Sequence, residues 1–192
     1  MRILAMFILG LILIPGAPCW SKPPSSGLQQ ELIKTRQSQF ERMKRLHDEG
    51  AASASQVDEA EEAWLRARLS MEQKQQKHEA VLRSYTELLR VAERKHQRVQ
   101  NLAAAGVVTR ADQLLAEIEY RMVESEYRMV FGQVSEAVIA VDHSIQAAEQ
   151  LLTQARQLQQ AGVGNSTQVE QAEERLLKLQ EYREEIQTEG SL

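Results

Sequence analysis

Apolar residues recur along this chain in a heptad rhythm. From Val57 the a and d sites are Val57, Ala60, Trp64, Ala67, Met71, Lys74, His78, Val81, Tyr85, Leu88, Ala92, Lys95, Val99 and Leu102. Lys74, His78 and Lys95 alone break the apolar series. Fifty-six residues on, the same sites read Gln113, Ala116, Tyr120, Val123, Tyr127, Val130, Val134, Ala137, Val141, Ser144, Ala148, Leu151, Ala155 and Leu158, with Gln113 and Ser144 the polar members. A sustained a/d stripe predicts long helices that pair along a seam.

The same spacing of 56 residues is an internal repeat. KRLHDEGAASASQVDEAE from Lys44 aligns without gaps with QNLAAAGVVTRADQLLAE from Gln100 and RQLQQAGVGNSTQVEQAE from Arg156. Leu46, Leu102 and Leu158 fall in register, as do Gly50, Gly106 and Gly162. A period of this size means one supersecondary unit used repeatedly, and eight heptads keep the seam in phase from unit to unit. Each glycine can end a helix in the left-handed conformation. Three residues later Ser53, Thr109 or Asn165 offers an oxygen to cap the next helix.

The pattern therefore predicts helices over about 28–49, 53–105, 109–161 and 166–188, forming one coiled-coil domain over 28–189. Gly132 lies inside a strongly periodic stretch and reads as tolerated within its helix. The expected fold is all-α: an antiparallel long-helix coiled-coil bundle with two long central helices, each roughly 75 Å at 1.5 Å per residue, flanked by two half-length helices. In that arrangement Gly50 and Gly162 lie at one end of the rod and Gly106 at the other. Apolar e positions at Phe131, Val138, Ile145 and Leu152 widen the stripe, which implies more than one neighbour there.

Residues 1–21 stand apart. Arg2, the apolar run Ile3–Ile14, Pro15-Gly16 and the small residues Ala17, Cys19 and Ser21 have the layout of a secretory signal peptide. Twelve apolar residues are too few to span a bilayer, and no second run is longer. Residues 22–27 read as a flexible, proline-bearing lead-in, in which Ser25 or Ser26 could cap the first helix. The leader holds the single cysteine and one of the 23 Lys plus Arg, but none of the 27 Asp plus Glu. A mildly acidic, cysteine-free remainder suits an exported compartment and argues against nucleic acid as a partner. The expected location is periplasmic or outer-membrane associated. Aromatics make up 5% of the chain, a long-helix composition rather than that of a compact globule.

The residues give no enzyme pattern and imply no cofactor. His47, His78, His96 and His143 never stand three or four positions apart, so no helical zinc pair exists. His78, on the seam, reads as a polar register-setting residue. The turns are more specific. Arg42, Leu46 and Ser53 recur as Arg98, Leu102 and Thr109, placing a cation, an apolar knob and a hydroxyl at a hairpin tip, a combination suited to end-on docking on a protein partner. The alternative assigns Leu46 to seam packing, Ser53 to a cap and Arg42 to the helix C-terminal dipole.

The tip pattern resembles the α-hairpin of periplasmic adaptor (membrane-fusion) proteins, in which such residues engage an outer-membrane channel. The second unit is similar to the helical repeats of TolC-type outer-membrane efflux proteins, with Gly106, Thr109, Asp112, Leu114, Ala116 and Glu117 matching G-x-x-[ST]-x-x-D-x-L-x-A-E. The chain departs from both in having no strand-rich region. The resemblance implies an exported, non-enzymatic helical component of a trans-envelope efflux or secretion assembly, with Arg42, Leu46, Ser53, Arg98, Leu102 and Thr109 as partner-binding residues. The alternative is a free periplasmic chaperone-like or scaffolding coiled-coil protein. Bare helical pairs poor in aromatics also suggest self-association.

Overall fold

A computed structural model describes residues 26–189; the expected signal peptide over 1–21 and the start of the lead-in lie outside them. The described chain is entirely helical, with no strand: α1 Ser26–Asp48, α2 Ala54–Lys74, α3 His78–Ala104, α4 Arg110–Val130, α5 Val134–Gln160 and α6 Ser166–Glu189. The all-α expectation holds. The repeat is kept to the residue, since α2, α4 and α6 begin at positions 54, 110 and 166.

The two long central helices are not continuous. Each breaks near its midpoint, at Gln75–Lys77 and at Phe131–Gln133, and folds back as a hairpin. The hydrogen bonds are those of a helix C-cap. Lys77 N–H donates to the Glu72 carbonyl (3.0 Å) and Gln76 N–H to Gln73 (3.0 Å); Gln133 N–H donates to Arg128 (2.8 Å) and Gly132 N–H to Met129 (3.0 Å). Gly132, expected to be tolerated inside a helix, instead ends one with φ +72°, and Gln76 takes the same left-handed conformation at φ +54°. Lys74 and His78, which looked like polar seam sites, flank this turn, and His78 is exposed at the start of α3.

A non-glycine residue in this conformation costs on the order of 1 kcal/mol. Gln76→Gly should therefore raise stability slightly, whereas Gly132→Ala should lower it by about 1 kcal/mol, read as opposite shifts of the urea midpoint.

With six helices running alternately up and down, each packs on its neighbours in the chain and on no other helix backbone. Two kinds of interface alternate. The first joins α1–α2, α3–α4 and α5–α6 beneath the turns at Gly50, Gly106 and Gly162. Its repeat-equivalent ring pairs are Phe40 stacked on Trp64 (centroids 5.6 Å apart) and His96 edge-on to Tyr120 (5.1 Å). The second joins α2–α3 and α4–α5 through the short turns at Gln76 and Gly132. Leu65, Leu69, Tyr85, Leu88 and Val91 form its core in the first unit, joined by Val123 of α4. Long side chains also reach past a neighbour, as Arg66 of α2 does to Glu126 of α4 (3.8 Å).

An interior helix thus carries two apolar stripes, one for each neighbour. The heptad series followed one face per helix. On α2 it traced Trp64, Ala67 and Met71, and missed the buried Leu65 and Leu69. On α5, where small residues serve both faces, Ala137, Val141, Ser144, Ala148 and Ala155 are all buried as expected. Of the e-position residues, Leu152 is buried and Val138 and Ile145 pack against the core, whereas Phe131 sits exposed in the turn.

Candidate interaction surface at the hairpin tips

Alternation of the six helices puts Gly50, Gly106 and Gly162 at the same end of the array. The expectation that Gly106 lies opposite the other two fails because each long helix doubles back. Three tips therefore stand in a row along one edge.

The tips share one backbone design. The carbonyl of Leu46 accepts from Ala51 N–H (2.7 Å) and Ala52 N–H (3.1 Å), that of Leu102 from Val107 (2.9 Å), and that of Leu158 from Val163 (3.0 Å) and Gly164 (2.9 Å). With the N–H of Gly50, Gly106 and Gly162 donating to His47, Ala103 and Gln159 in turn, this is the paired bonding of a Schellman C-cap, closed by a left-handed glycine. Each following helix opens with a reciprocal cap. Ser53 Oγ accepts from Gln56 N–H (3.2 Å) while Gln56 Oε1 accepts from Ser53 N–H (2.8 Å). Asp112 does the same for Thr109, accepting from its N–H (2.9 Å) and its hydroxyl (2.7 Å), and Asn165 pairs with Gln168 in the third unit. The hydroxyl residues picked out in the sequence are therefore engaged within the chain.

Those bonds hold the Asp112 carboxyl below the usual carboxylate range. A depressed folded-state value makes its contribution to stability full above the unfolded-state value and lost as pH falls through the folded one. Asp112→Asn should accordingly flatten the acid limb of the stability profile, measured as melting temperature against pH. Ser53→Ala or Thr109→Ala should each cost about 1 kcal/mol.

The two arginines have different fates. Arg98 Nη2 lies 2.6 Å from Asp58, whose side chain is only 4% exposed, and Arg94 holds the same carboxylate at 2.9 Å and Glu61 at 2.6 Å. Arg42, the repeat equivalent of Arg98, meets no partner carboxylate among the described residues and is exposed on a shallow groove with Glu31, Thr35 and Gln39. In the third unit Gln154 replaces the arginine and faces an α4 that carries Leu114 where α2 carries Asp58. Cation and anion vanish together, which shows a pairing across the second kind of interface.

What the tips offer outward is apolar. Leu102 and Leu158 are exposed, and Val107 and Val163 are 67% and 76% exposed just beyond their glycines. Leu46 is half-buried, and Ala51 stands where the other tips have valine. Sequence reasoning missed both valines because it weighted helical positions and treated the turn as connection only. A second polar cluster lies lower down. Lys95, one of the residues that interrupted the seam, bridges Glu62 (2.9 Å) and Glu119 (3.3 Å) from α3 to both neighbours. Burial disfavours its charge, but the two carboxylates outweigh this and raise its pKa.

Among the described residues no three His, Cys, Asp or Glu side chains converge on a metal-holding geometry, and no helix is long and apolar enough to cross a membrane. The broad depression between α4 and α5 is lined by Arg110, Gln146, Glu149, Gln150, Thr153 and Gln154 among others, with no nucleophile set beside a base. Compared with known proteins, the chain matches no family model, no curated protein and no solved structure.

Proposed function

We propose that this is a non-enzymatic interaction protein that docks on a protein partner through its row of hairpin tips. The observation that carries the reading is the common edge formed by three copies of one tip, two of which expose a leucine and a valine. Solvent-exposed apolar residues repeated along one edge suit end-on contact with another helical assembly. The resemblance to TolC-type and adaptor repeats supplies the partner class: a component of a trans-envelope efflux or secretion assembly, met in the periplasm or at the outer membrane. Of the sequence-selected residues, Leu102 faces outward at a tip and Arg42 is open to a partner. Leu46, Ser53, Arg98 and Thr109 support the tips from within.

One observation favours a second reading, a free chaperone-like or scaffolding protein. The helices are about half as long as the continuous rods that the heptad count predicts, about 40 Å for 27 residues, so each hairpin is a short, compact arm.

A photo-crosslinker at Val107 or Val163, in cells carrying the full chain, separates the two. Capture of one envelope export complex, lost with Leu102→Glu and Val163→Glu together, supports the first reading. A broad set of unfolded clients supports the second, and crosslinks no different from those of a label at exposed Arg90 would overturn tip docking.

A further inference from the structure

The second kind of interface occurs twice within the chain, α2 against α3 and α4 against α5, and the two ends of the array carry its unmatched halves. By the 56-residue register α1 corresponds to α3 and α5, while α6 corresponds to α2 and α4. In the first kind of interface both terminal helices are satisfied: Phe40 of α1 meets Trp64, and Leu176 and Leu179 of α6 pack with α5. Their other faces look outward.

Those faces have the composition of the missing interface. Leu28 and Leu32, 58% and 49% exposed, stand at the register positions of buried Ser84 and Leu88. Leu177 of α6, 59% exposed, stands at the position of Leu65, which is 0% exposed. In the internal copy Leu65 and Leu88 belong to one core cluster. Below the leucines the ion pair also has its halves. Glu170 occupies the register position of Asp58, and Arg42 that of Arg98, the residues that meet at 2.6 Å inside the chain.

The wider charge is complementary as well. The α6 segment carries seven acids, among them Glu170, Glu174, Glu181 and Glu184, against Arg175, Lys178 and Arg183. The α1 segment carries Lys34, Arg36, Arg42, Lys44 and Arg45 against Glu31, Glu41 and Asp48. Repeat arrays ordinarily finish in helices with a polar outer face, because an unfinished end leaves its apolar stripe in water. Among the described residues both ends leave apolar side chains open, and each end matches the other.

We infer that the occupant of each open end is a second copy of this chain, with α6 of one copy packing antiparallel on α1 of the next and continuing the array. Glu170 of one copy pairs with Arg42 of the other, and Leu177 inserts beside Leu32. The contact is heterologous, so it propagates head to tail into a ring or an open filament rather than closing as a two-fold dimer. It buries faces distinct from the tip edge, which an assembly would display as a longer row of tips.

Sedimentation of the purified full chain over a wide concentration range, with helicity checked by circular dichroism, tests this. The wild-type chain should self-associate beyond a dimer. Arg42→Glu and Glu170→Arg should each weaken association about tenfold or more, Leu177→Glu should abolish it, and the double charge swap Arg42→Glu/Glu170→Arg should restore it. Mixing the two single charge variants should also restore it, because each supplies the half the other repels. A chain that stays monomeric, a species that stops at a dimer, or assembly indifferent to the charge swap would overturn the inference. Monomeric wild type in which deletion of residues 1–25 unmasks association would instead identify the chain's own leading segment as the occupant of α1, and would overturn it too. No export partner is present in this experiment, so its outcome is independent of tip docking.

Discussion

Arg98→Glu is expected to destabilise the array by about 3 kcal/mol, enough to move the urea midpoint clearly, although Arg98 looked from the sequence like a docking residue. Its partner Asp58 has a side chain 4% exposed at the α2–α3 interface, held by Arg98 and Arg94 together. Reversing the charge leaves a buried carboxylate facing another carboxylate with only Arg94 to offset it. A buried charge left without its partner typically costs 3–5 kcal/mol, and the remaining arginine places this case at the lower end. The α4–α5 interface offers the repair, since it has Leu114 and Gln154 at the matching sites. Asp58→Leu combined with Arg98→Gln should lose far less than Arg98→Glu, because replacing both members of a buried pair removes the desolvation cost along with the attraction. If Arg98→Glu unfolds at the wild-type midpoint, the Asp58 pairing is not a structural bond.

The second large effect is at Leu65. Its side chain is wholly buried between α2 and α3 and shares a cluster with Leu69, Leu88 and Val91. Leu65→Ala removes buried carbon and leaves a cavity between two stiff helices that cannot close over it, which costs about 3 kcal/mol. Leu28→Ala, on the open face of α1, should change the monomer's stability by less than about 0.5 kcal/mol. Comparable losses at the two sites in dilute, monomeric protein would contradict the assignment of α2 to two neighbours.

Leu65 also shows where the sequence was legible and where it was not. The repeat, the glycine ends, the caps at Ser53, Thr109 and Asn165, and the absence of strands among the described residues all follow from local chemistry, and each was readable in one dimension. The mid-helix breaks were not. KQQKH contains neither glycine nor proline, so its turn depends on Gln76 accepting a strained φ that packing of α2 on α3 repays. At Gly132 the signal was present but was overruled by the heptad count on either side. A turn of three residues hardly disturbs a seven-residue rhythm, because the helices on both sides are built from the same repeat. The count therefore ran on through a reversal of direction.

That reversal decided the candidate site. Continuous helices send Gly50 and Gly106 to opposite ends, whereas folded-back hairpins gather all three tips on one edge. Arg42 and Arg98 hold equivalent places in the repeat and differ in what they meet: Arg98 faces the buried Asp58 of α2, whereas Arg42 lies exposed. No reading of single positions could have distinguished an exposed cation from a buried pair.

The distance between the first two tips tests the whole account most directly. Spin labels at Ala51 and Val107, measured by pulsed dipolar spectroscopy in dilute protein, report whether the chain between them doubles back. Two helix spacings of 8–10 Å predict a separation of roughly 20 Å. A distance near 75 Å, the length of an unbroken 50-residue helix, would contradict the six-helix array and the shared tip edge with it.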